Sequence, residues 1–367
     1  MKTIVVSAVN LRKGGTLTIL RDCLNYLSEM NRDKDFRIVA LVHKKSLCDY
    51  PGIEYIEMPD IINGWGKRLW CEYVTMRKIS KHLAPVHLWL SLHDTTPNVI
   101  AERRAVYCQT SFPFLKLKRN DWKFDYKIGL FGLFTRLAYR INIKKNDYLI
   151  VQAEWLRKGF SRMFGISQQK FIVAPPPQKN QIELILNDKP EDCFSFFYAA
   201  TPDCHKNFEV ICEAAYRLEK EIGKDRFNVL LTINGKENKY AQWLYQKWGK
   251  TKSIVFAGFM TKERLYETYA NADCLIFPSR IETWGLPITE FMSTGKPMLL
   301  ADLPYAHETA AGSKQTDFFN PESAEELKNK MLQLILGNNS FLKPVEKTKI
   351  AEPLAENWKA LFDKLIG

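Results

Sequence analysis

Phe277-Pro-Ser-Arg-Ile-Glu282-Thr-Trp-Gly285-Leu-Pro287-Ile-Thr-Glu290 follows directly on Asp273-Cys-Leu-Ile-Phe277, a short apolar run without alternation. Such a run fits a strand covered on both faces, and so a parallel sheet layered between helices. Pro278 and Ser279 end the strand. Pro287 suits the first helical position, where its missing N–H costs nothing, and Ile288, Phe291 and Met292 then share one helical face until Gly295 and Pro297 stop the helix. A helix start beyond the carboxyl end of a strand offers unpaired N–H groups, so the amides around Thr283, Trp284, Gly285 and Leu286 are placed to bind a diphosphate. Gly285 lets that backbone come close. Glu282, on the loop, and Glu290, in the first helical turn, are then expected to accept hydrogen bonds from different parts of one hydroxyl-rich ligand.

Strand-like runs alternate with helical patterns throughout. Thr3 to Val9, Arg37 to Val42, Leu88 to Leu92, Ala105 to Cys108 and Tyr148 to Val151 form one series; Phe194 to Ala199, Asn228 to Ile233, Ser253 to Phe256, Asp273 to Phe277 and Met298 to Ala301 form a second. Between them stands Ala174-Pro-Pro-Pro177 and a polar stretch to about Asp192. The expectation is an α/β protein of two doubly wound, Rossmann-like domains, 1–178 and 190–345, with a terminal helical segment over 350–367. A length of 367 residues, 46% hydrophobic and 26% charged, accommodates two such cores. Eight scattered cysteines without metal-ligand spacing, and a first segment too quickly interrupted for a signal peptide, favour a reducing cytoplasm.

The paired glutamates with Gly285-Leu286-Pro287 resemble the signature of retaining glycosyltransferases of family 4, which have the GT-B fold of two Rossmann-like domains facing across a cleft. The resemblance extends over most of the chain and is densest from about 196 to 312. It implies that Glu282 contacts the donor sugar and Glu290 the ribose of the nucleotide, and that the terminal helix crosses back to the first domain. That family usually has a small residue or Phe at the position of Trp284, so the pocket beside the sugar is expected to differ. His205-Lys206-Asn207 resembles the family's phosphate-binding lysine followed by a small or amide residue. An ammonium there would neutralise the leaving diphosphate. The arginine that the family commonly adds six residues upstream is replaced by Ala200, which leaves Lys206 to act with backbone amides or with another arginine such as Arg280. The loop containing Gly14 and Gly15 resembles the glycine-rich loop under the donor phosphates. Gly235 and the run Gly258-Phe259-Met260 sit just past predicted strands, and the latter lines the base pocket by resemblance. His93, at the end of Leu88-Trp-Leu-Ser-Leu92, is a candidate to bond a sugar hydroxyl or the reacting region, with Asp94 orienting it. No cofactor or metal is expected, because the family works without one and the chain offers no Asp-x-Asp pair; the donor is a UDP- or GDP-linked sugar.

Residues 112–145 carry nine basic residues against two acids, interleaved with Trp122, Phe124, Ile128, Leu130, Phe131, Leu133, Phe134 and Leu137. Over half of the formal net charge of +12 lies there. Basic and aromatic composition together suggest an anionic membrane surface against the amino-terminal domain, and hence a peripheral enzyme acting on a glycan or lipid-linked acceptor in cell-surface polysaccharide biosynthesis. Two other classes compete: a GT-B sugar-nucleotide epimerase, and a nucleic-acid-binding protein using the basic stretch. The second leaves Glu282 and Glu290 without a role, since acids repel a polyanion.

Overall fold

The computed structural model describes residues 1–62, 64–176, 193–347 and 349–367. Two parallel sheets organise them. The first has seven strands, β1 (Lys2–Ala8), β2 (Phe36–Val42), β3 (Ile53–Glu57), β4 (Val86–Ser91), β5 (Arg103–Cys108), β6 (Tyr148–Val151) and β7 (Phe171–Val173), in the order β3-β2-β1-β4-β5-β6-β7. The second has six, β8 (Phe194–Tyr198), β9 (Phe227–Leu231), β10 (Ile254–Phe256), β11 (Cys274–Phe277), β12 (Met298–Ala301) and β13 (Thr316–Phe319), in the order β10-β9-β8-β11-β12-β13. Central strands such as β1 and β11 are buried on both faces, which is why they read as unbroken apolar runs. Each order reverses once, between β1 and β4 and between β8 and β11. Crevices outside the strands' carboxyl ends at such reversals are where doubly wound sheets bind ligands.

The chain divides into two compact units. Unit 1 comprises Met1–Pro113, Leu133–Pro177 and Ile350–Gly367; unit 2 comprises Phe114–Gly132 and Gln178–Lys349. This corrects the assignment of the whole basic aromatic stretch to the amino-terminal domain. Its first part, including the helix Arg119–Phe124, belongs to unit 2, where Phe124 packs on Tyr240 and Trp243, and the division falls inside the helix Tyr126–Arg140. The proline-ended boundary expected near 178 to 190 lies outside the described residues. Among the described residues, no helix is long and apolar enough to cross a membrane.

In unit 1 the helix Gly14–Met30 turns Leu17, Leu20, Cys23, Leu24 and Leu27 inward. They share a core with Leu361, Phe362 and Leu365 of the last helix, Trp358–Ile366, and Phe362 stacks on Tyr26 with ring centroids 5.5 Å apart. The chain reaches this position by lying along β7: Val173 N–H donates to the Pro353 carbonyl at 3.0 Å and Ala355 N–H to the Val173 carbonyl at 2.8 Å. Buried Arg157 donates to the carbonyls of Ala351 at 2.7 Å and Pro353 at 3.3 Å. Because Leu354 is used in this edge pairing, the helix starts later than its apolar spacing suggests, where Asn357 accepts from Ala360 N–H at 2.9 Å. Replacing Phe362 by Ala is expected to destabilise unit 1 by about 3–5 kcal/mol in denaturant unfolding; a loss under ~1 kcal/mol would mean that the last helix adds little to this core.

Candidate active site

Strands β8 and β11 are hydrogen-bonded neighbours, with Phe196 opposite Cys274 and Phe197 opposite Leu275. Whatever follows them in sequence therefore meets at one sheet edge. After β8 the chain makes a single tight turn, Cys204–Lys206, and Asn207 takes the left-handed conformation, φ 60°, before the helix Phe208–Ile222. After β11 it passes Pro278 to Gly285 before the helix Leu286–Met292. Lys206 Nζ donates to Glu282 Oε1 at 2.6 Å across 76 residues of sequence. The two side chains keep 17% and 14% of their surface exposed, so the pair is shielded on most sides and open on one. An ammonium and a carboxylate meeting at such an edge can divide between an anionic group and a hydroxyl of one ligand.

The surrounding main chain is braced from below. Tyr198 donates its hydroxyl to the Lys206 carbonyl at 2.9 Å, and Tyr305 donates to the Ser279 carbonyl at 2.6 Å. Asn207, expected to face the donor, is buried instead, and its amide donates to the carbonyls of Pro278 at 3.2 Å and Pro321 at 2.8 Å. It ties the two loops together. Arg280, the alternative phosphate cation, is also committed elsewhere: its guanidinium pairs with Asp121 and donates to the carbonyls of Lys116 at 3.1 Å and Cys204 at 3.3 Å. It therefore does not replace the arginine missing at Ala200.

Gly285 adopts φ +96°, a conformation that strains any residue with a side chain, and a Cβ there would press on Ile288 Cδ1 at 3.2 Å. Trp284 is buried, with its carbonyl accepting from Thr309 Oγ1, while Thr283 is half-buried and Leu286 exposed. Glu290, half-buried, accepts from the hydroxyl of buried Tyr269 at 3.1 Å, which aims the carboxylate. Tyr269 gave no signal in the sequence. Gly235 and Gly258 both have positive φ; a Cβ on Gly235 would overlap Tyr245, so that glycine is demanded by the packing of the helix Lys239–Trp248. Phe259 is 90% exposed beside buried Met260.

In unit 1, Gly14 and Gly15 open the helix Gly14–Met30, and a Cβ on either would meet nothing within 4 Å, so the backbone there is accessible. His93 is different. Only 1% exposed, it places Nε2 near Ser7 Oγ at 3.1 Å and Ser91 Oγ at 3.3 Å, and Nδ1 near Thr95 Oγ1 at 3.1 Å and Glu72 Oε1 at 3.5 Å. A ring enclosed in this way does not reach a sugar hydroxyl, which corrects its expected role. Asp94 does not orient it: the Asp94 carboxylate accepts the backbone N–H of Gln109 at 2.5 Å and Thr110 at 3.1 Å, and burial raises its pKa. The partners are Glu72 and Arg68, paired at 2.9 Å, with Arg68 also donating to the His93 carbonyl at 3.1 Å. Glu72 sits on the π-helical turn Cys71–Thr75, which no sequence pattern announced.

Two parallel α/β domains, of seven and six strands, match the GT-B class of fold. The lipopolysaccharide outer core galactosyltransferase WaaB superposes with a TM-score of 0.61 at 12% identity, covering 92% of this chain and 91% of that one. HepE of Anabaena, solved with UDP and glucose, gives 0.56 at 13% identity over 93% and 92%. Residues 179–350 match the family described as glycosyl transferases group 1. The O-antigen chain mannosyltransferase RfbU of Salmonella typhimurium is 21% identical over 179 residues, 48% of each chain. The chain thus spans about half the length of that curated relative.

Burial pushes the His93 pKa down to about 4. The unfolded chain, with an ordinary value near 6.5, takes up a proton first as pH falls, so stability is lost between about pH 6.5 and 4. Urea unfolding is expected to show this residue contributing about 2 kcal/mol of destabilisation between pH 7 and 4.5. His93→Gln should flatten that part of the profile, and an unchanged profile would mean that His93 is not enclosed in the folded protein.

Proposed function

We propose that the protein is a retaining, metal-independent glycosyltransferase of the family 4 type. In this reading it moves a sugar from a nucleoside-diphosphate sugar to a glycan or lipid-linked hydroxyl during cell-surface polysaccharide synthesis, lipopolysaccharide being the example its relatives suggest. The observation that carries the reading is the Lys206–Glu282 pair at the β8/β11 reversal. In the free protein each charge neutralises the other. When a donor enters, Lys206 turns an N–H toward the diphosphate and Glu282 accepts from sugar hydroxyls. As the glycosidic bond breaks, negative charge accumulates on the departing diphosphate and the ammonium stabilises it, an effect larger at the transition state than in the ground state. The Thr283–Leu286 backbone, turned at Gly285, lies beside the same group. Glu290, aimed by Tyr269, takes the ribose hydroxyls, and exposed Phe259 lies on the side of the base. The acceptor hydroxyl attacks on the face the diphosphate leaves, and its proton passes to the departing diphosphate. The donor named with HepE makes UDP-linked sugars the first to try, with GDP-linked sugars next.

Lys206→Ala and Glu282→Ala are each expected to lower turnover by about a hundredfold or more with the fold retained. Activity would be followed with UDP-, GDP- and ADP-sugars chosen by thermal shift. Near-normal activity in either variant removes that residue's role. Isomerised sugar produced from the donor alone would replace transfer by epimerisation.

The acceptor side of the reading places the protein in the cytoplasm, on the inner face of a membrane. Its support is the helix Tyr126–Arg140, where Tyr126, Leu130, Phe134 and Leu137 are exposed, followed by exposed Ile141. Their spacing puts them on one face. Lys123, Lys127, Arg136, Arg140 and Lys144 are exposed alongside, a combination that suits anionic lipid headgroups over an apolar interior. Vesicles of anionic lipid should sediment the protein at low salt, and Phe134→Glu with Leu137→Glu should release it. Equal sedimentation of the variant would dismiss this surface.

A further inference from the structure

Arg280 stands between the two functional loops and touches both. Its backbone N–H donates to the His205 carbonyl at 2.7 Å, one residue before Lys206, and its guanidinium reaches the Cys204 carbonyl. Two residues further along the chain is Glu282. The charge of this arginine is answered from far away in sequence, by Asp121. Both side chains are out of water, at 6% and 0% exposure.

Asp121 belongs to a segment that is itself firmly seated in unit 2. Its Oδ2 accepts Lys118 N–H at 2.6 Å, Asn120 donates its amide to Glu209 at 3.1 Å, and the Cys204 thiol faces the Asn120 carbonyl at 3.6 Å. Lys118 pairs with Glu322 at 2.6 Å, and Phe124 packs on Tyr240 and Trp243 with centroids 5.6 and 5.1 Å away. Arg280 therefore cross-links three stretches: 116–121, the turn bearing Lys206 and the loop bearing Glu282.

A fully desolvated ion pair is a poor source of stability, because apolar residues of similar volume commonly do as well or better. What such a pair supplies is a fixed geometry. We propose that Asp121 and Arg280 are positioning residues that hold the Lys206 and Glu282 loops at the separation the transfer step needs. The proposal rests on the function given above. Neither residue touches substrate: the guanidinium is buried, and its terminal nitrogens are engaged by Asp121 and two carbonyls. A displacement of about 1 Å in a reacting group costs on the order of a hundredfold in rate, so loosening this cross-link should be felt in kcat.

The test is the double variant Asp121→Leu/Arg280→Met, which removes both charges and keeps apolar volume. The expected result is a folded protein whose crystal structure has lost the 2.6 Å contact between Lys206 and Glu282, whose kcat is lowered about ten- to a hundredfold with KM little changed, and whose defect vanishes on the Lys206→Ala background, because groups acting through one residue are not additive. If the double variant does not fold, Asp121→Asn, which keeps the shape and an acceptor for Lys118, carries the same measurements. Persistence of the Lys206–Glu282 contact in the folded variant overturns the proposal whatever the kinetics. So does a kcat defect that adds in full to that of Lys206→Ala. Loss of the contact in the variant, together with full activity of Lys206→Ala, would uphold the positioning and overturn the assigned function of Lys206, so the two failures are told apart.

Discussion

The parallel pairing of β8 with β11 is the constraint on which the rest of unit 2 depends. Strands adjacent at the reversal of a doubly wound sheet send their following loops to opposite sides, leaving a crevice between them at the carboxyl edge. Lys206 and Glu282 are brought together by that pairing and by nothing in their local sequence. Once they meet, the loops need bracing, since an ammonium and a carboxylate on unsupported loops would spend their interaction on ordering side chains. Asn207, Tyr198, Tyr305 and Arg280 supply it, each directing a polar group at a main-chain carbonyl of one of these loops. The partly open pair is thus supported by a more deeply buried polar layer.

Unit 1 shows the opposite use of polar residues at the corresponding edge. His93 ends β4 beside β1, but it is drawn inward by Ser7, Ser91, Thr95 and Glu72, and burial keeps the ring neutral. Desolvation outweighs the opposing pull of the Glu72 carboxylate, so the ring stays neutral and shares its nitrogens with the surrounding hydroxyls. The accessible feature at that edge is the Gly14-Gly15 backbone rather than the histidine. Reactive residue types at sheet edges therefore divide according to burial: the pair in unit 2 is left partly open, whereas the histidine in unit 1 is enclosed.

Central strands and their order of appearance could be read from the chain because double-sided burial writes itself as an uninterrupted apolar run. Two of the edge strands could not, although the edge strand β10 was read as Ser253 to Phe256. In β3, Ile53–Glu57, two glutamates stand exposed on a half-covered strand, and β13, Thr316–Phe319, carries an aspartate paired with Lys330, so neither has the signature of a buried strand. At the candidate site, the sequence singled out Glu282, Lys206, Gly285 and Glu290 through their place after strands, and the structure brings Lys206 and Glu282 together. Asn207 was assigned to the ligand on the same grounds, and Arg280 was one alternative for the missing arginine, yet both side chains turn back to the protein, a choice made by neighbours distant in sequence. Asp121, Tyr269 and Glu72 had no local signal.

Residue type and spacing by themselves determined the α/β class, the doubling of the sheet and the loops that follow its central strands, because periodicity and turn-forming residues are local properties of the chain. Only the tertiary structure decided how the charged groups on those loops are partnered: Arg280 is neutralised by buried Asp121, whereas Lys206 and Glu282 pair at a partly open edge. The assignment of residues 114–132 to unit 2 and of 350–367 to unit 1 was likewise a matter of packing. The physical reason is the same in each case. Desolvation and partner choice depend on what surrounds a group in space, and strands far apart in sequence supply those surroundings.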